Sequence, residues 1–162
     1  SKTLFGSWAG AFGNFQFMPS TIEKYAIDYN KNNLIELKEN SDSFASAANY
    51  LNKMGWKKNA PCFKKISLKS NVPRKILNTS AQKIKYKKKL KYYKKYINEK
   101  LSYDENVKVA IITPDSEIVD NAKVNEPAYI VFQNYELILK WNRSLRFALA
   151  VCNLKDKINN EL

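Results

Sequence analysis

Glycine is scarce in this chain, and its placement constrains the fold more than any other feature of the sequence. Three of the four glycines, Gly6, Gly10 and Gly13, lie within eight residues of one another. Glycine adopts positive φ without steric cost and lets other groups approach the backbone closely. We therefore predict turns or a short hairpin over residues 1–19. Such a turn could simply be a tight hairpin, or it could present Gln16 and neighbouring side chains to a ligand.

Two helix signals follow the glycine-rich stretch. A helix is predicted from Pro19, with Ser20 as the cap and Glu23 completing a capping box. A second helix is predicted from about residue 42 to Gly55, which is well placed as its C-terminal stop. The predicted core-facing stripe of this second helix consists of Phe44, Ala48 and Leu51.

The remainder of the chain mixes strand and helix patterns. Residues 57–82 show no clear period and are interpreted as loop with short ordered pieces, whereas VKVAIITP alternates and predicts a strand. AYIVFQNYELILKW predicts another strand or a short helix, and a helix is predicted from Ser144. The apolar stripe of that last helix is predicted to be Leu145, Ala148, Val151, Leu154 and Ile158. Together these patterns predict a mainly α fold with a small β component.

Composition restricts the classes of function. The net charge is +13, which favours an anionic partner such as nucleic acid, a membrane surface or an acidic polymer. The chain has no histidine, so the usual general base and the usual transition-metal ligand are missing. Cys62 and Cys152 have no metal-binding spacing, and two separate buried thiols are the favoured interpretation, with a disulfide left open.

The ends and hydropathy of the chain give two further expectations. No run of 18 apolar residues is present, so no transmembrane helix is predicted. The chain begins at Ser1 without a signal peptide, and we expect a processed protein or a fragment of a longer one.

Residues 83–100 form a second unusual segment, with nine lysines and four tyrosines. Basic residues interleaved with aromatics suit single-stranded nucleic acid. A solvated helical face is the commoner explanation of such a run, and attraction to an anionic cell envelope is a third. The role of the segment stays open at this point.

Four ordered motifs carry a resemblance to a known family. GSWAGAFGNFQFMPS, YAIDYN, SAANYLNKMGW and LKWNRSLRFALAV resemble segments of the lytic murein transglycosylase B family. The resemblance covers roughly residues 6–56 and 127–152. Residues 57–126 resemble nothing that can be placed, and we predict a basic, insertion-like segment there.

The resemblance implies a lysozyme-like transglycosylase domain. The family cleaves the β-1,4 bond between N-acetylmuramic acid and N-acetylglucosamine and forms a 1,6-anhydro product with a single carboxylic acid, unlike the paired carboxylates of most glycosidases. In the family that glutamate lies well before the glycine-rich motif. None of the nine glutamates here matches its position, so we expect no catalytic residue in this chain and an acid upstream of Ser1.

The resemblance also implies substrate-binding residues. Gln16 would hydrogen-bond sugar, Phe17 would stack on a sugar face, and Trp141 replaces a family tyrosine. The alternative for Tyr50 and Trp141 is that they are plain core aromatics. The implied groove positions are Ser7, Gln16, Phe17, Tyr50, Trp141 and Asn142.

A calcium loop is a further implication of the resemblance. Its ligands would be Asp28, Asn30, Asn32, the backbone of Leu34, and Asp42. Oxygen ligands at alternate positions suit a hard cation. Only two of the five are carboxylates, and Lys31 and Asn33 depart from the family pattern, so we expect weak Ca²⁺ binding or a loop that is merely turn-shaped.

The sequence thus predicts that residues 1–162 are the C-terminal portion of a lytic transglycosylase catalytic domain, incomplete without its acid. The expected partners are peptidoglycan glycan strands and, for the basic segment, anionic envelope surfaces. We expect a monomer in the periplasm or cell envelope, and no nucleic-acid partner. The alternatives are a non-catalytic peptidoglycan-binding remnant and a basic nucleic-acid-binding protein.

Overall fold

This computed structural model describes residues 7–116, 119–121, 123 and 125–161. They fall into two compact units, one ending at Lys57 and the other beginning at Lys58. The predicted turns over residues 1–19 are therefore described only from Ser7, and both Gly6 and Glu117 lie outside the described residues.

The first unit opens with the predicted hairpin. Phe12 and Phe17 pair antiparallel through two backbone hydrogen bonds, each of 2.9 Å between nitrogen and oxygen. Gly10 and Gly13 both have φ of 79°, and Gln16 has φ of 51°. The turn prediction is confirmed, because both described glycines of the cluster adopt the left-handed backbone that favours glycine.

Gly13 also makes a close approach that only glycine permits. The neighbouring N–H of Asn14 donates to the carbonyl of Leu37 at 2.8 Å. A Cβ placed on Gly13 would lie 2.6 Å from both the Cβ and the carbonyl oxygen of Leu37. The hairpin is therefore seated directly on the backbone of the segment before the second helix.

Helices α1 (Pro19–Tyr25) and α2 (Asn40–Lys53) complete the first unit. Met18 is the N-cap of α1, without a side-chain cap hydrogen bond, so the predicted capping box of Ser20 and Glu23 is wrong. The prediction failed because the fixed φ of Pro19 suits the first helical position, so the helix begins at Pro19 and Ser20 lies inside its first turn.

The end of α2 agrees with the sequence prediction, whereas its buried face does not. Gly55 has φ of 94°, and the N–H of Trp56 returns to the carbonyl of Leu51 at 2.9 Å, which closes the helix at the predicted glycine. Phe44 is 60% exposed, so the predicted apolar stripe is wrong. The buried residues of α2 are mostly polar: Asp42, Ser43, Ser46 and Ala47.

The second unit is built on a small mixed sheet. Its strand order is β1-β5-β4-β2, and β3 pairs with β4. The pairs β1·β5, β4·β5 and β3·β4 are antiparallel and β2·β4 is parallel. The strands are β1 (Phe63–Ile66), β2 (Leu77–Asn78), β3 (Lys88–Lys89), β4 (Lys108–Ile112) and β5 (Ala128–Val131).

Helices flank this sheet in the chain. Helix α3 (Leu90–Tyr93) is a single turn, and α4 (Gln133–Trp141) and α5 (Leu145–Glu161) form the C-terminal pair. Short 3-10 turns occur at residues 74–76 and 94–96. The mainly α fold with a small β component is confirmed. None of the described helices has the length and hydropathy of a membrane span.

Strand β4 lies within the predicted VKVAIITP strand. The AYIVFQNYELILKW segment contains both predicted alternatives in succession, β5 and then α4. Because β1, β2, β3 and β4 share a sheet with β5, much of the segment 57–126 is part of the same fold as the family-like residues that follow it. The predicted domain organisation itself stays a prediction.

Helix α5 packs through its N-terminal half. Leu145 and Ala148 are 3% and 0% exposed, as predicted, but Leu154 and Ile158 are 59% and 47% exposed, so the predicted stripe is wrong beyond the middle of the helix. The phenol of Tyr135 on α4 donates to the carbonyl of Leu145 at 2.8 Å. This bond fixes the start of α5 against α4.

A disulfide joins Cys62, just before β1, to Cys152 on α5, with the two Cα atoms 5.9 Å apart. Both residues are fully buried. The favoured sequence interpretation of two separate thiols is therefore wrong, because the fold brings together two residues 90 positions apart in the chain.

We expect the double substitution Cys62→Ala/Cys152→Ala to lower the free energy of unfolding of the second unit by about 2–5 kcal/mol. The cross-link restricts the unfolded chain over a long loop, and its loss restores that entropy. Urea unfolding followed by circular dichroism measures the change. Dithiothreitol should destabilise the wild-type chain and leave the double variant unaffected. Two thiols titrating in the unfolded, unreduced chain would contradict the disulfide.

Gly13→Ala and Gly10→Ala make a matched pair that tests the seat of the hairpin. Both substitutions place an L-residue at positive φ, which costs about 1–2 kcal/mol. The nearest atom to a Cβ at Gly10 is the Cγ of Pro19, at an ordinary 3.6 Å. Gly13→Ala should therefore lower the free energy of unfolding by about 1–3 kcal/mol more than Gly10→Ala, because of overpacking against Leu37. Equal losses would show that this contact relaxes freely.

Candidate functional site

The hairpin displays Gln16 to solvent in a fixed orientation. Gln16 is exposed, its backbone has φ of 51°, and its N–H donates to the carbonyl of Gly13 at 3.1 Å. The side-chain Nε2 donates to the same carbonyl at 2.9 Å. An amide has two donor hydrogens and an acceptor oxygen, so the held side chain can still both donate to and accept from a ligand.

Ser7 caps the turn that precedes the hairpin. Its Oγ accepts from the N–H of Ala11 at 3.0 Å, and its carbonyl accepts from the N–H of Gly10 at 2.8 Å. The residue is exposed. A hydroxyl that accepts one hydrogen bond keeps its own hydrogen for donation, so Ser7 can donate to an outside acceptor.

Phe17 and Tyr50 lie together inside the first unit. Phe17 is 4% exposed, and its ring centroid is 6.2 Å from that of Tyr50. Tyr50 in turn meets the ring of Tyr25 edge-on at 5.0 Å. The predicted sugar stacking by Phe17 has no exposed ring face to support it, since the hairpin turns this side chain inward.

Tyr50 is half-buried. Burial raises the pKa of its phenol, and the nearby Tyr25 acts in the same direction. Tyr50 therefore stays neutral around pH 7 and retains both the donor and the acceptor of a phenol.

Sequence reasoning missed the residues that hold the hairpin in place. The Nδ2 of Asn14 donates to the carbonyl of Lys38 at 3.2 Å and to the Oγ of Ser43 at 3.1 Å. Ser46, one turn further along α2, accepts from the N–H of Ile27 at 3.0 Å. The signal in the sequence was Ser43 and Ser46, which lie three residues apart on one face of α2. Sequence reasoning interpreted them only as small residues that permit close helix packing.

The predicted calcium loop is closed by its own hydrogen bonds. The two carboxylate oxygens of Asp28 accept from the N–H groups of Asn32 and Asn33 at 3.2 and 2.8 Å. The side-chain oxygens of Asn30 and Asn32 accept from the N–H groups of Asn32 and Leu34 at 3.0 and 2.8 Å. Lys31 and Asn33 have φ of 62° and 68°, so the loop turns through the left-handed region, which asparagine tolerates better than most residues.

Asp42 is buried and joins this loop to α2. Its oxygens accept from the N–H groups of Tyr29 and Glu36, both at 3.0 Å. The Glu36 N–H does most to hold the pKa of Asp42 below its ordinary value, against the opposing effect of burial. Because the folded pKa is depressed, Asp42 stabilises the fold above its unfolded pKa, and this contribution is lost as pH falls through the folded pKa.

The loop fits calcium in donor type but only weakly in charge. Asp28, Asn30, Asn32 and Asp42 all have side-chain oxygens that accept from N–H groups of the loop, and each hydrogen bond occupies one lone pair of its acceptor. Hard cations prefer such oxygens. No group of three or more Asp, Glu, Cys or His that could hold a metal occurs among the described residues, so the donor set is poor in charge.

Trp141 and Asn142 lie in the second unit, at the end of α4. Trp141 is half-buried and Asn142 is exposed. The N–H of Asn142 donates to the carbonyl of Ile138 at 3.0 Å, and its carbonyl accepts from the N–H of Ser144 at 2.8 Å. These bonds close α4 and set the short turn into α5. The other predicted groove positions all belong to the first unit.

The lysine–tyrosine segment, residues 83–100, is not the long helix that a solvated helical face would require. It forms β3, the single turn α3 and a 3-10 turn. The ring of Tyr92 contacts the rings of Tyr86, Tyr93 and Tyr96, with centroids 5.3–6.4 Å apart. The ammonium of Lys95 lies 5.3 and 4.9 Å from the centroids of Tyr92 and Tyr96. The tyrosine rings therefore form a cluster with one another and with Lys95, rather than the row of separate, fully exposed rings on which successive bases would stack.

Among the described glutamates none is buried. Glu136 is the most enclosed and is half-buried in an ion pair with Lys87. Glu99 accepts from the N–H of Ser67 through both oxygens, at 2.8 and 3.0 Å. Burial acts to raise the pKa of Glu99, but these hydrogen bonds outweigh it and the pKa is lowered. A general acid needs the opposite shift.

Comparison with known proteins gives a consistent relationship. The model of the family described as transglycosylase SLT domain matches residues 1–156. The chain is 46% identical over 55 residues to membrane-bound lytic murein transglycosylase B of Escherichia coli K12, which covers 34% of this chain and 15% of that protein.

Solved structures resemble the fold over nearly the whole chain. SltB3 from Pseudomonas aeruginosa, in complex with NAG-NAM-pentapeptide, has a TM-score of 0.79 and 27% identity and covers 96% of this chain and 40% of its own. The E. coli lytic transglycosylase Slt35 in complex with calcium has a TM-score of 0.70 and 23% identity over 98% of this chain and 47% of its own.

The chain spans less than half the length of each of these relatives. The likeness confirms the lysozyme-like transglycosylase fold and the predicted resemblance to the lytic murein transglycosylase B family. Because the family model matches almost the full length of the chain, the chain belongs to the transglycosylase SLT domain family.

Proposed function

We propose that this chain supplies substrate-binding surface to a lytic murein transglycosylase. The whole protein would cleave the bond between N-acetylmuramic acid and N-acetylglucosamine and form a 1,6-anhydro product. The family match supports this reaction class, and the relative SltB3 was solved with a NAG-NAM-pentapeptide. The partner of this chain is accordingly a peptidoglycan glycan strand carrying peptide stems.

The observation that carries the proposal is the display of Gln16. The residue has an L-side chain in the left-handed region, φ of 51°, and its amide is oriented by Gly13. Non-glycine residues in that region are uncommon and concentrate at functional sites. An oriented, exposed amide suits an N-acetyl or hydroxyl group of a sugar, and the Ser7 hydroxyl adds a second donor.

In this proposal, the residues that bind the substrate are different from the residue that transfers the proton. A general acid needs a carboxyl group whose pKa is raised in an apolar setting. No described glutamate is buried, so we assign none of them this role. The catalytic acid is proposed to lie outside the described residues, and Tyr50, Trp141 and Asn142 are proposed as further groove positions.

The disulfide bears on the compartment. A buried disulfide persists in oxidising compartments such as the bacterial periplasm and is rare in the cytosol. We propose that the protein works in the periplasm or cell envelope, where murein lies. The E. coli relative is named as membrane-bound.

Calcium binding by the loop at Asp28 is a finer proposal. The loop keeps its shape through backbone N–H groups, so the ion would add to an existing turn. Asp28 and Asp42 would supply the charge, and Asn30, Asn32 and the carbonyl of Leu34 the neutral oxygens. The ion would act as a stabiliser of the turn beneath the hairpin.

We expect Gln16→Ala to weaken binding of the full chain to purified murein sacculi by about 2- to 10-fold. A lost hydrogen bond of this kind costs about 0.5–1.5 kcal/mol, and alanine keeps the Cβ, so the strain at positive φ is unchanged. Co-sedimentation with sacculi at physiological salt measures the dissociation constant, and thermal melting checks the fold.

The control for Gln16 is Asn52→Ala, which removes an exposed amide of α2 outside the glycine-rich motif. This variant should bind sacculi as the wild type does. The proposed role of Gln16 fails if Gln16→Ala lowers the melting temperature substantially while sacculus binding per folded molecule stays the same. Absence of binding by the wild type would count against the proposed function as a whole.

Calcium at 10 mM should raise the stability of the first unit. A site with two carboxylates is expected to bind with a dissociation constant of about 1 mM, in the range of weak extracellular modules, and 10 mM ligand then adds about 1.4 kcal/mol. Asp28→Ala should abolish the increase, whereas Asp120→Ala, which removes an exposed carboxylate elsewhere, should leave it intact. Differential scanning calorimetry with and without calcium measures the shift. A loop that serves as a turn only would show no shift in any of the three proteins.

A further inference from the structure

The second unit contains a cavity of about 430 Å³ that the proposed glycan contacts do not use. Four cationic side chains line it, together with a single carboxylate, that of Glu136. The cations come from two separate parts of the chain, the lysine–tyrosine segment and the end of α4. They are Lys83, Lys87, Lys140 and Arg143.

The only carboxylate in this lining is already neutralised. The Nζ of Lys87 lies 2.7 and 2.9 Å from the two oxygens of Glu136. The charged side-chain groups of Lys83, Lys140 and Arg143 have no ion-pair or hydrogen-bond partner among the residues that the structure describes. The cavity therefore presents three uncompensated positive charges to one small space.

The lining of the cavity also contains two largely buried apolar residues, which form what we call its apolar floor. Ile84 and Leu139 line it and are 9% and 6% exposed, respectively. Cations around an apolar floor suit a small anionic group carried on a short aliphatic stem.

The cavity adjoins the predicted groove positions of this unit. Lys140 and Arg143 directly flank Trp141 and Asn142 in the chain. A glycan strand that contacts this turn would bring its substituents to the mouth of the cavity.

We propose that this cavity binds a carboxylate of the murein stem peptide. The inference rests on the proposed function, because the peptide arrives on the glycan strand. Arg143 can hold a carboxylate with two parallel hydrogen bonds, and Lys83 and Lys140 add point charges. A concave site of this volume has room for the end of a peptide stem together with its carboxylate, and it does not match a flat membrane. The tyrosine rings nearby contact one another and Lys95, which disfavours stacked bases.

The test compares intact sacculi with sacculi whose free stem-peptide carboxylates have been amidated with a carbodiimide and methylamine. These sacculi keep their cross-links and still sediment, and they are called stripped sacculi because they lack the free carboxylates. The variant Lys83→Gln/Lys140→Gln/Arg143→Gln removes the three unpaired positive side chains from the lining of the cavity. The control Lys91→Gln/Lys100→Gln/Lys157→Gln removes the same charge at exposed positions outside the lining. Co-sedimentation of the full chain at physiological salt gives the dissociation constants, and thermal melting verifies that both triple variants fold.

The wild type and the control should bind intact sacculi about tenfold more tightly than stripped sacculi. That factor corresponds to about 1.4 kcal/mol. The cavity variant should bind both preparations with the affinity that the wild type has for stripped sacculi. Loss of affinity by the control as large as that of the cavity variant would show a diffuse charge effect and overturn the proposal.

Two further results would overturn the inference in distinguishable ways. Equal binding of intact and stripped sacculi by the wild type would refute the stem-peptide site and leave the proposed function standing. No binding of the wild type to either preparation would refute both. Acetate and inorganic phosphate, added as competitors at equal concentration, distinguish the anion. Displacement from intact sacculi by phosphate alone would assign the cavity to a phosphate group and contradict the carboxylate.

Discussion

The first unit depends on one buried carboxylate. Asp42 lies fully buried in the first turn of α2, where its oxygens accept the N–H groups of Tyr29 and Glu36. These two residues flank the loop, so a single side chain fixes both of its ends. One turn later Ser46 accepts the N–H of Ile27. A buried ionised group is tolerated only when it is hydrogen-bonded in this way, and the loop backbone is what supplies the donors.

The hairpin is held by the same polar face of α2. Asn14 donates to Ser43, and the neighbouring Gly13 sits against the backbone of Leu37. The position of Gln16 is therefore determined by polar contacts and by the absence of a side chain at Gly13. A polar support of this kind is directional, whereas apolar packing is not. It suits a surface that must present one amide to a ligand in one orientation.

Much of this architecture could be predicted from the sequence, and the failures have a common cause. The clustered glycines predicted the hairpin and Gly55 predicted the end of α2, because a turn and a helix end both depend on the local backbone conformation. Hydrophobic periodicity predicted the wrong buried face of α2, where Phe44 is exposed and Asp42 is buried. The pattern counts apolar residues only, so it gives no information about a loop whose N–H groups can hydrogen-bond to a buried polar face. The cysteine pair required tertiary proximity, which no spacing encodes. In the candidate site, the exposed Gln16 was foreseen, and the inward turn of Phe17 was not, since it follows from which face of the hairpin meets Tyr50.

Net charge is a poor guide to the partner of this protein, because the lysines have different environments in the fold. Lys87 and Lys94 are paired with glutamates, and Lys95 lies over two tyrosine rings. An ion pair cancels the charge of its lysine, whereas an ammonium over a ring keeps its charge. Exposed charges are screened within about 8 Å at physiological salt, so attraction of a polyanion depends on local clusters of cations and not on the total charge. Lys83 differs from these three lysines, because it joins two cations from α4 and the turn after it at one cavity. Three cations gathered at one concave site suit a single anionic group, whereas a nucleic acid would need a continuous basic groove that follows its backbone.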